Sequence, residues 1–360
     1  MQSTLLIGTS SGPGGPNQGI YAVKFDSATG ECSTARLAAA VANPGFLAAH
    51  PSGRFIYSAG ESGRSPDGNA IGAMFAYALD SASGSLAPLN SSPTGGLAAT
   101  HLAVDATGRM LVAASYHGGQ VLAFPIGSDG RLGARAAFIP LSGKLGPNAQ
   151  RQEKPHPHSV TFSPDNHFAY VCDLGLDRIF CFRLDPATAT LTPAGEFAAP
   201  AGAGPRHSKF SADGRFLYVI NELSSSVSVF ARDAATGALA LKQTLSTLPA
   251  GFTAYNICAE IQIHPGDRFV YGSNRGHDSL AVFARNERDG TLSLVEVAPC
   301  GGKHPRHFAL SPDGAWLVCA GRDSNNLASF RVDAATGRLS PAGEAVGIPV
   351  PTCVLFTPAK

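Results

Sequence analysis

Apolar and polar residues alternate along the chain in short runs such as Val227-Ser228-Val229-Phe230 and Leu280-Ala281-Val282-Phe283. A period of two bounded by Gly and Asp turns predicts antiparallel strands, because successive side chains of a strand point to opposite faces. No segment carries a sustained helical period. Two phrases punctuate the runs. The first is a turn followed by an apolar run, as in Pro51-Ser52-Gly53-Arg54-Phe55-Ile56-Tyr57 and Ala212-Asp213-Gly214-Arg215-Phe216-Leu217-Tyr218. Its anchor recurs at Phe55, Met110, Phe168, Phe216, Phe269 and Trp316. The second reads Asp-x-Ala-Thr-Gly-x-Leu or a variant. It starts at Asp26, Asp80, Ser128, Asp185, Asp233, Asn286 and Asp333.

A unit of about 50 residues holding four short strands predicts a propeller blade. The first phrase joins an inner strand A to B, and the second joins C to D. The N-terminal unit starts at Leu5 with a B strand and has no A of its own. Thr352-Cys353-Val354-Leu355-Phe356 reads as an A strand with no B after it. The two fragments complete one blade and remove a frayed edge. The expectation is an all-β, seven-bladed β-propeller filling 1–360 as a single domain. It has four antiparallel strands per blade, one blade being closed by the N- and C-terminal strands.

Composition narrows the function. Charged residues make up 15% of 360, below the usual ~25%. Gly 41 and Pro 26 suit many tight turns. A formal charge of +1 argues against a nucleic-acid surface. Met1-Gln2-Ser3-Thr4-Leu5 lacks a signal-like basic start, and no run of ~18 apolar residues spans a membrane. Seven cysteines without a C-x-x-C pair read as buried small hydrophobes in a reducing compartment, so a cytoplasmic protein is expected.

In an up-and-down meander, alternate turns lie on opposite faces. The A–B and C–D turns take the repeated Gly turns to one face. The D–A and B–C connections take the irregular loops to the other. That second face receives His101, His117, His156, His158, His207, His277, His304 and His307, with Arg151, Arg206, Arg275, Arg306 and Arg322. A cationic mouth predicts a small anionic ligand. His158, at the start of an A strand, can exchange a proton near neutral pH. Arg206 in Pro205-Arg206-His207 and Arg306 in Pro305-Arg306-His307 can grip a carboxylate or phosphate. Glu222, in a B–C connection, faces Arg206 across one blade and either activates water or neutralises the arginine. Arg275 and His277 lie in the next B–C connection, and Asn256 and Glu260 before an A strand. The stretch 140–155, which carries Arg151, is the candidate lid. Gly8-Thr9-Ser10-Ser11-Gly12 fits G-x-S-x-G, but a nucleophile elbow needs a helix after it and here another strand follows. No carboxylate cluster joins His156 and His158 at ligand spacing, so no metal and no cofactor is expected.

These residues carry a resemblance. Gly146-Pro147-Asn148, His156-Pro157-His158-Ser159, Gly204-Pro205-Arg206-His207, Asn221-Glu222-Leu223, Asn274-Arg275-Gly276-His277-Asp278 and Pro305-Arg306 are similar to the seven-bladed β-propeller lactonases of the bacterial 6-phosphogluconolactonase type. Fungal carboxy-cis,cis-muconate cyclases share that fold. The resemblance implies a site of one histidine, two arginines and one glutamate, falling on His158, Arg206, Arg275 and Glu222. Substrate contacts are then expected from Arg306, His277, Asn256, Glu260 and Arg151. It implies hydrolysis of a sugar lactone, 6-phosphogluconolactone first, with another aldonolactone or a muconate cycloisomerisation as alternatives. A non-enzymatic interaction platform would show exposed apolar residues on one face, which these loops lack. Two departures stand out. His-Pro-His replaces the more usual His-Ala-His, and the first three blades match loosely.

Overall fold

The computed structural model describes residues 2–11, 19–68 and 70–357, and among them there is no α-helix. Gly12, the last residue of the G-x-S-x-G match, lies outside the described residues. Twenty-eight strands form seven four-stranded antiparallel sheets. Blade 1 begins with the C-terminal strand Pro351–Phe356, which pairs with Gln2–Thr9, so both ends of the chain share one sheet. The inner strands of blades 2 to 7 are Leu47–Ala49, His101–Val104, Pro157–Phe162, Pro205–Phe210, Ile257–Ile263 and Pro305–Leu310. Each touches the inner strand of the next blade, which closes the ring.

The two repeated phrases fit into one another across the blade junctions. The anchor of one blade packs on the turn of the next. A Cβ added to Gly237 would lie 2.8 Å from Phe168 Cδ1, and one on Gly337 would lie 2.5 Å from Phe269 Cδ1. Two residues past the anchor, a tyrosine hydroxyl donates to the same glycine's carbonyl. Tyr170 reaches Gly237 at 2.8 Å, Tyr218 reaches Gly290 at 2.8 Å, and Tyr271 reaches Gly337 at 2.9 Å. Blade 7 closes onto blade 1 in the same way. Trp316 covers Gly30, and its indole donates to Ser27 O at 2.9 Å. Only blade 4 lacks a glycine in this slot, having Ala189 at φ +53°. There the anchor is Met110, whose flexible chain accommodates the extra methyl within the same apolar cluster. The repeats are therefore a packing code, which accounts for their persistence without any functional demand.

Candidate functional site

Three blades begin their inner strand with Pro-x-His or Pro-His, and in all three the register slips there. The bulges fall between Pro157 and Ser159, between Pro205 and His207, and between Pro305 and His307. The unpaired residues are His158, Arg206 and Arg306. A bulge re-aims a side chain out of the regular alternation. The B–C connections meet these residues at the same end of the channel, with Glu222 directly after the strand Phe216–Asn221 and Arg275 at the end of Phe269–Arg275. The Glu222 backbone is pinned on both sides, its N–H donating to Gly204 O at 2.7 Å and its carbonyl accepting from Cys258 N at 3.0 Å.

Glu222 is the centre of the cluster and is only 2% exposed. Its Oε2 accepts from Arg206 Nε at 2.9 Å and lies 2.8 Å from Arg275 Nη2. Its Oε1 accepts from Arg151 Nη2 at 2.5 Å. Arg206 also donates to Ala259 O at 2.6 Å, and Arg275 Nε to Cys258 O at 3.1 Å. Burial alone would raise the Glu222 carboxyl. The charges of Arg275, Arg206 and Arg151 overcome it and hold the group well below the usual carboxylate range. Burial, then the Arg275 charge, lowers Arg206 to about 10, so it remains a cation at neutral pH.

His158 Nε2 lies 3.8 Å from Glu222 Oε2, and its Nδ1 is buried with no hydrogen-bond partner. Burial, followed by the charges of Arg206 and His207, holds its pKa well below the ordinary imidazole value. It is therefore neutral at pH 7. Arg306 differs from the other arginines of the cluster, making no hydrogen bond or ion pair with the described residues. Burial and the charges of Arg206 and Arg275 hold it well below its ordinary value. Three guanidinium groups thus hold one carboxylate, and the charge of that carboxylate is also felt by Arg306.

The stretch 140–155 lies over this mouth. Its Arg151 is the outermost ligand of Glu222, 33% exposed. Gly146 N donates to Gly175 O at 2.9 Å, and Lys154 Nζ to His117 O at 3.0 Å, which tie the stretch to the connections of blades 3 and 4. Tyr116, which sequence reasoning missed, stacks on His156 at 4.1 Å, sits edge-on to His158 at 5.3 Å and lies 3.4 Å from Arg151 Nη2. It occupies in blade 3 the position that Glu222 and Arg275 hold in blades 5 and 6, so the register pointed to it.

Three expected contacts lie elsewhere. Glu260 is one level deeper in the channel, 2.7 Å from His207 Nδ1 and 3.3 Å from His307 Nε2, with its other oxygen accepting from Gln262 at 2.9 Å. Asn256 bridges Ser225 Oγ and the His277 N–H. His277 itself is tied to Ser279 Oγ at 2.8 Å and packs edge-on to Phe252. None of the three touches Glu222. Among the described residues, no three His, Cys, Asp or Glu side chains gather as a metal site.

Comparison with known proteins agrees with the architecture. The family model "Lactonase, 7-bladed beta-propeller" matches residues 4–356. A Bacillus subtilis 6-phosphogluconolactonase is 35% identical over 95% of both chains. One from Formosa agariphila is 32% identical over 90% of this chain and 91% of its own. Among solved structures, the Pseudomonas aeruginosa periplasmic gluconolactonase PpgL superimposes with a TM-score of 0.92, 32% identity and 99% coverage of each chain.

Proposed function

Because the chain belongs to the seven-bladed β-propeller lactonase family, we propose that it hydrolyses 6-phosphogluconolactone to 6-phosphogluconate. The observation that carries this reading is the cationic excess at the mouth. Arg151, Arg206 and Arg275 share a single carboxylate, and Arg306, beside them at the bulge of blade 7, has no partner of its own among the described residues. A phosphorylated sugar lactone brings a dianion to the site and develops a further negative charge on its carbonyl oxygen during attack. Unpaired and displaceable guanidinium groups match both demands.

His158 is the general base. With its Nε2–H turned toward Glu222, the lone pair is on Nδ1, the nitrogen that no protein group occupies. It takes a proton from water as the water oxygen bonds to the lactone carbonyl carbon. The carbonyl electrons move to oxygen, where a guanidinium stabilises them. Collapse of that intermediate breaks the bond from the carbonyl carbon to the ring oxygen, and the imidazolium returns its proton to the departing alkoxide. Glu222 stays ionised throughout, holding the arginines in place and favouring the imidazolium. Its oxygens are taken up by Arg151, Arg206 and Arg275, whereas His158 Nδ1 has no partner, so proton transfer falls to the histidine. Arg151, the most exposed of the three arginines bound to Glu222, swings aside for the substrate.

The PpgL relative favours a second substrate, unphosphorylated gluconolactone. The test uses both lactones, the phosphorylated one generated in situ, and compares the loss of each with its spontaneous rate. Acceleration of the phosphorylated lactone with the higher kcat/KM supports the main reading. A preference for gluconolactone that Arg306→Gln leaves untouched moves the assignment to the neutral sugar. Among the described residues no helix is long and apolar enough to cross a membrane. All seven cysteines are unpaired and six are buried, so we assign the enzyme to a reducing compartment, the cytoplasm.

A further inference from the structure

The far end of the channel, on the face of the Gly turns, opens into a cavity of about 400 Å³. That volume lies in the range of small-molecule pockets. Strand register identifies its wall. Opposite the residue two past the anchor in blades 2 to 7, and opposite Leu6 in blade 1, the inner strands place Ala48, Ala103, Thr161, Lys209, Gln262, Ala309 and Leu355 at one level. Lys209 is the one charged member of this ring. Lys209, Gln262, Ala309 and Leu355 line the cavity, and Phe46, Val354 and Phe356 add an apolar flank.

Lys209 is half-buried and makes no hydrogen bond or ion pair with the described residues. Glu260, the carboxylate in the layer above, has both oxygens engaged by His207, His307 and Gln262. The ammonium charge is felt within the channel. After burial, it is the largest influence lowering the pKa of His101, and it also lowers His207 and His307. A half-buried cation without a counterion, in a concave wall that is about half apolar, is a recognition element for an anion. Inorganic phosphate would leave the apolar flank facing water. A carboxylate on an apolar body uses both features.

We propose that this cavity is a second ligand site, for a small organic carboxylate with an apolar body, bound through Lys209. The layer of His101, His207, Glu260 and His307 separates it from the Glu222 cluster, so it is not part of the lactone site. It takes a different class of ligand and is approached from the opposite face.

The test is calorimetric titration of the full-length protein with benzoate, and with benzyl alcohol as the uncharged analogue. The expected result is saturable benzoate binding, with benzyl alcohol at least 10-fold weaker. Lys209→Met weakens benzoate at least 10-fold, and Arg306→Gln leaves it unchanged. Ala309→Phe, which keeps the lysine and fills the cavity, also abolishes binding, and it decides the matter if Lys209→Met fails to fold. Lactonase activity should persist in Ala309→Phe. No benzoate binding to the wild-type protein, binding indifferent to both cavity variants, or binding lost in Arg306→Gln would each overturn the proposal. The last outcome would assign benzoate to the upper mouth.

Discussion

Replacing Glu222 by Gln is the sharpest perturbation of the site, because it removes one charge and almost no volume. Three guanidinium groups then lose their counterion at once, at separations of 2.5, 2.9 and 2.8 Å. At an effective dielectric constant of 20, each pair of charges about 4 Å apart is worth ~4 kcal/mol before desolvation. Desolvation of the ions offsets much of that sum. Removal of one partner of a buried pair leaves a net loss of about 3–5 kcal/mol. Arg206 is only 2% exposed and keeps only the Ala259 carbonyl, so relaxation into water cannot recover much of the loss. Against a usual stability of about 5–15 kcal/mol, the variant gives up a large share. Urea unfolding at pH 7 reads this as a lower midpoint with an unchanged slope. Inorganic phosphate should restore part of it, about 2.7 kcal/mol at 100 times its dissociation constant. Where the variant is still folded, kcat should drop by roughly 100-fold or more as His158 loses its charged neighbour. A stability loss under about 1 kcal/mol, with no response to phosphate, would refute the view that Glu222 holds the arginines together.

The same geometry sets other expectations. His158→Gln should lower kcat by about 10²–10⁴ with little change in KM, read from initial rates; an equal loss through KM alone would remove the base assignment. Arg306→Gln should raise KM for the phosphorylated lactone roughly 10-fold or more and spare gluconolactone, since it removes the unpaired cation and breaks no internal ion pair. Acid should destabilise the protein through its buried histidines. His307 titrates at about 4 when folded, against 6.5 ordinarily, so the unfolded chain takes the proton first. Stability is full above pH 6.5 and falls toward pH 4, by ~1.4 kcal/mol per unit and about 3 kcal/mol in all from this residue, with His101, His158 and His207 acting in the same direction. Urea midpoints that stay flat between pH 7 and 5 would contradict it. Gly237→Ala forces a side chain into φ +80° and against Phe168 and Cys181, and should cost about 2–4 kcal/mol in the same assay without altering kcat.

The blade repeat was legible because it is a packing code, and packing is written in apolar periodicity and turn residues. Closure of blade 1 by Thr352–Phe356 came from counting strands, and the gathering of His158, Arg206, Glu222 and Arg275 at one mouth came from alternating turns. Pairing was harder to read. Arg206 and Arg306 occupy the same bulge in the same Pro-Arg-His phrase, yet one is buried on a carboxylate and the other is unpaired. The difference lies in the residue directly after strand B of the same blade. Blade 5 has Glu222 there, and blade 7 has Arg322, which turns to Asp323 at 2.6 Å. Depth was also hard to read. Glu260 resembles a mouth residue by its distance from Asn256, but counting back from the Gly266-Asp267 turn aligns it with His207 and His307. That count puts Ala259, not Glu260, at the level of Arg206.

The same count shows why a sevenfold scaffold makes a one-sided site. At the level of the bulges the inner strands bring Thr352, Gly45, Thr100, His158, Arg206, Ala259 and Arg306 to the channel. The charged and titratable members all belong to blades 4, 5 and 7, while blades 1 to 3 contribute the short side chains Thr352, Gly45 and Thr100. Thr352 turns its hydroxyl to Gly45 O at 3.0 Å and so presents little bulk of its own. Small residues on one half of the ring leave room opposite the arginines, and only a molecule with an anionic end and a compact body uses both halves. On the function proposed above, discrimination among lactones of equal charge is expected to rest with Gly45, Thr100 and Thr352, and the chemistry with His158 and its arginines.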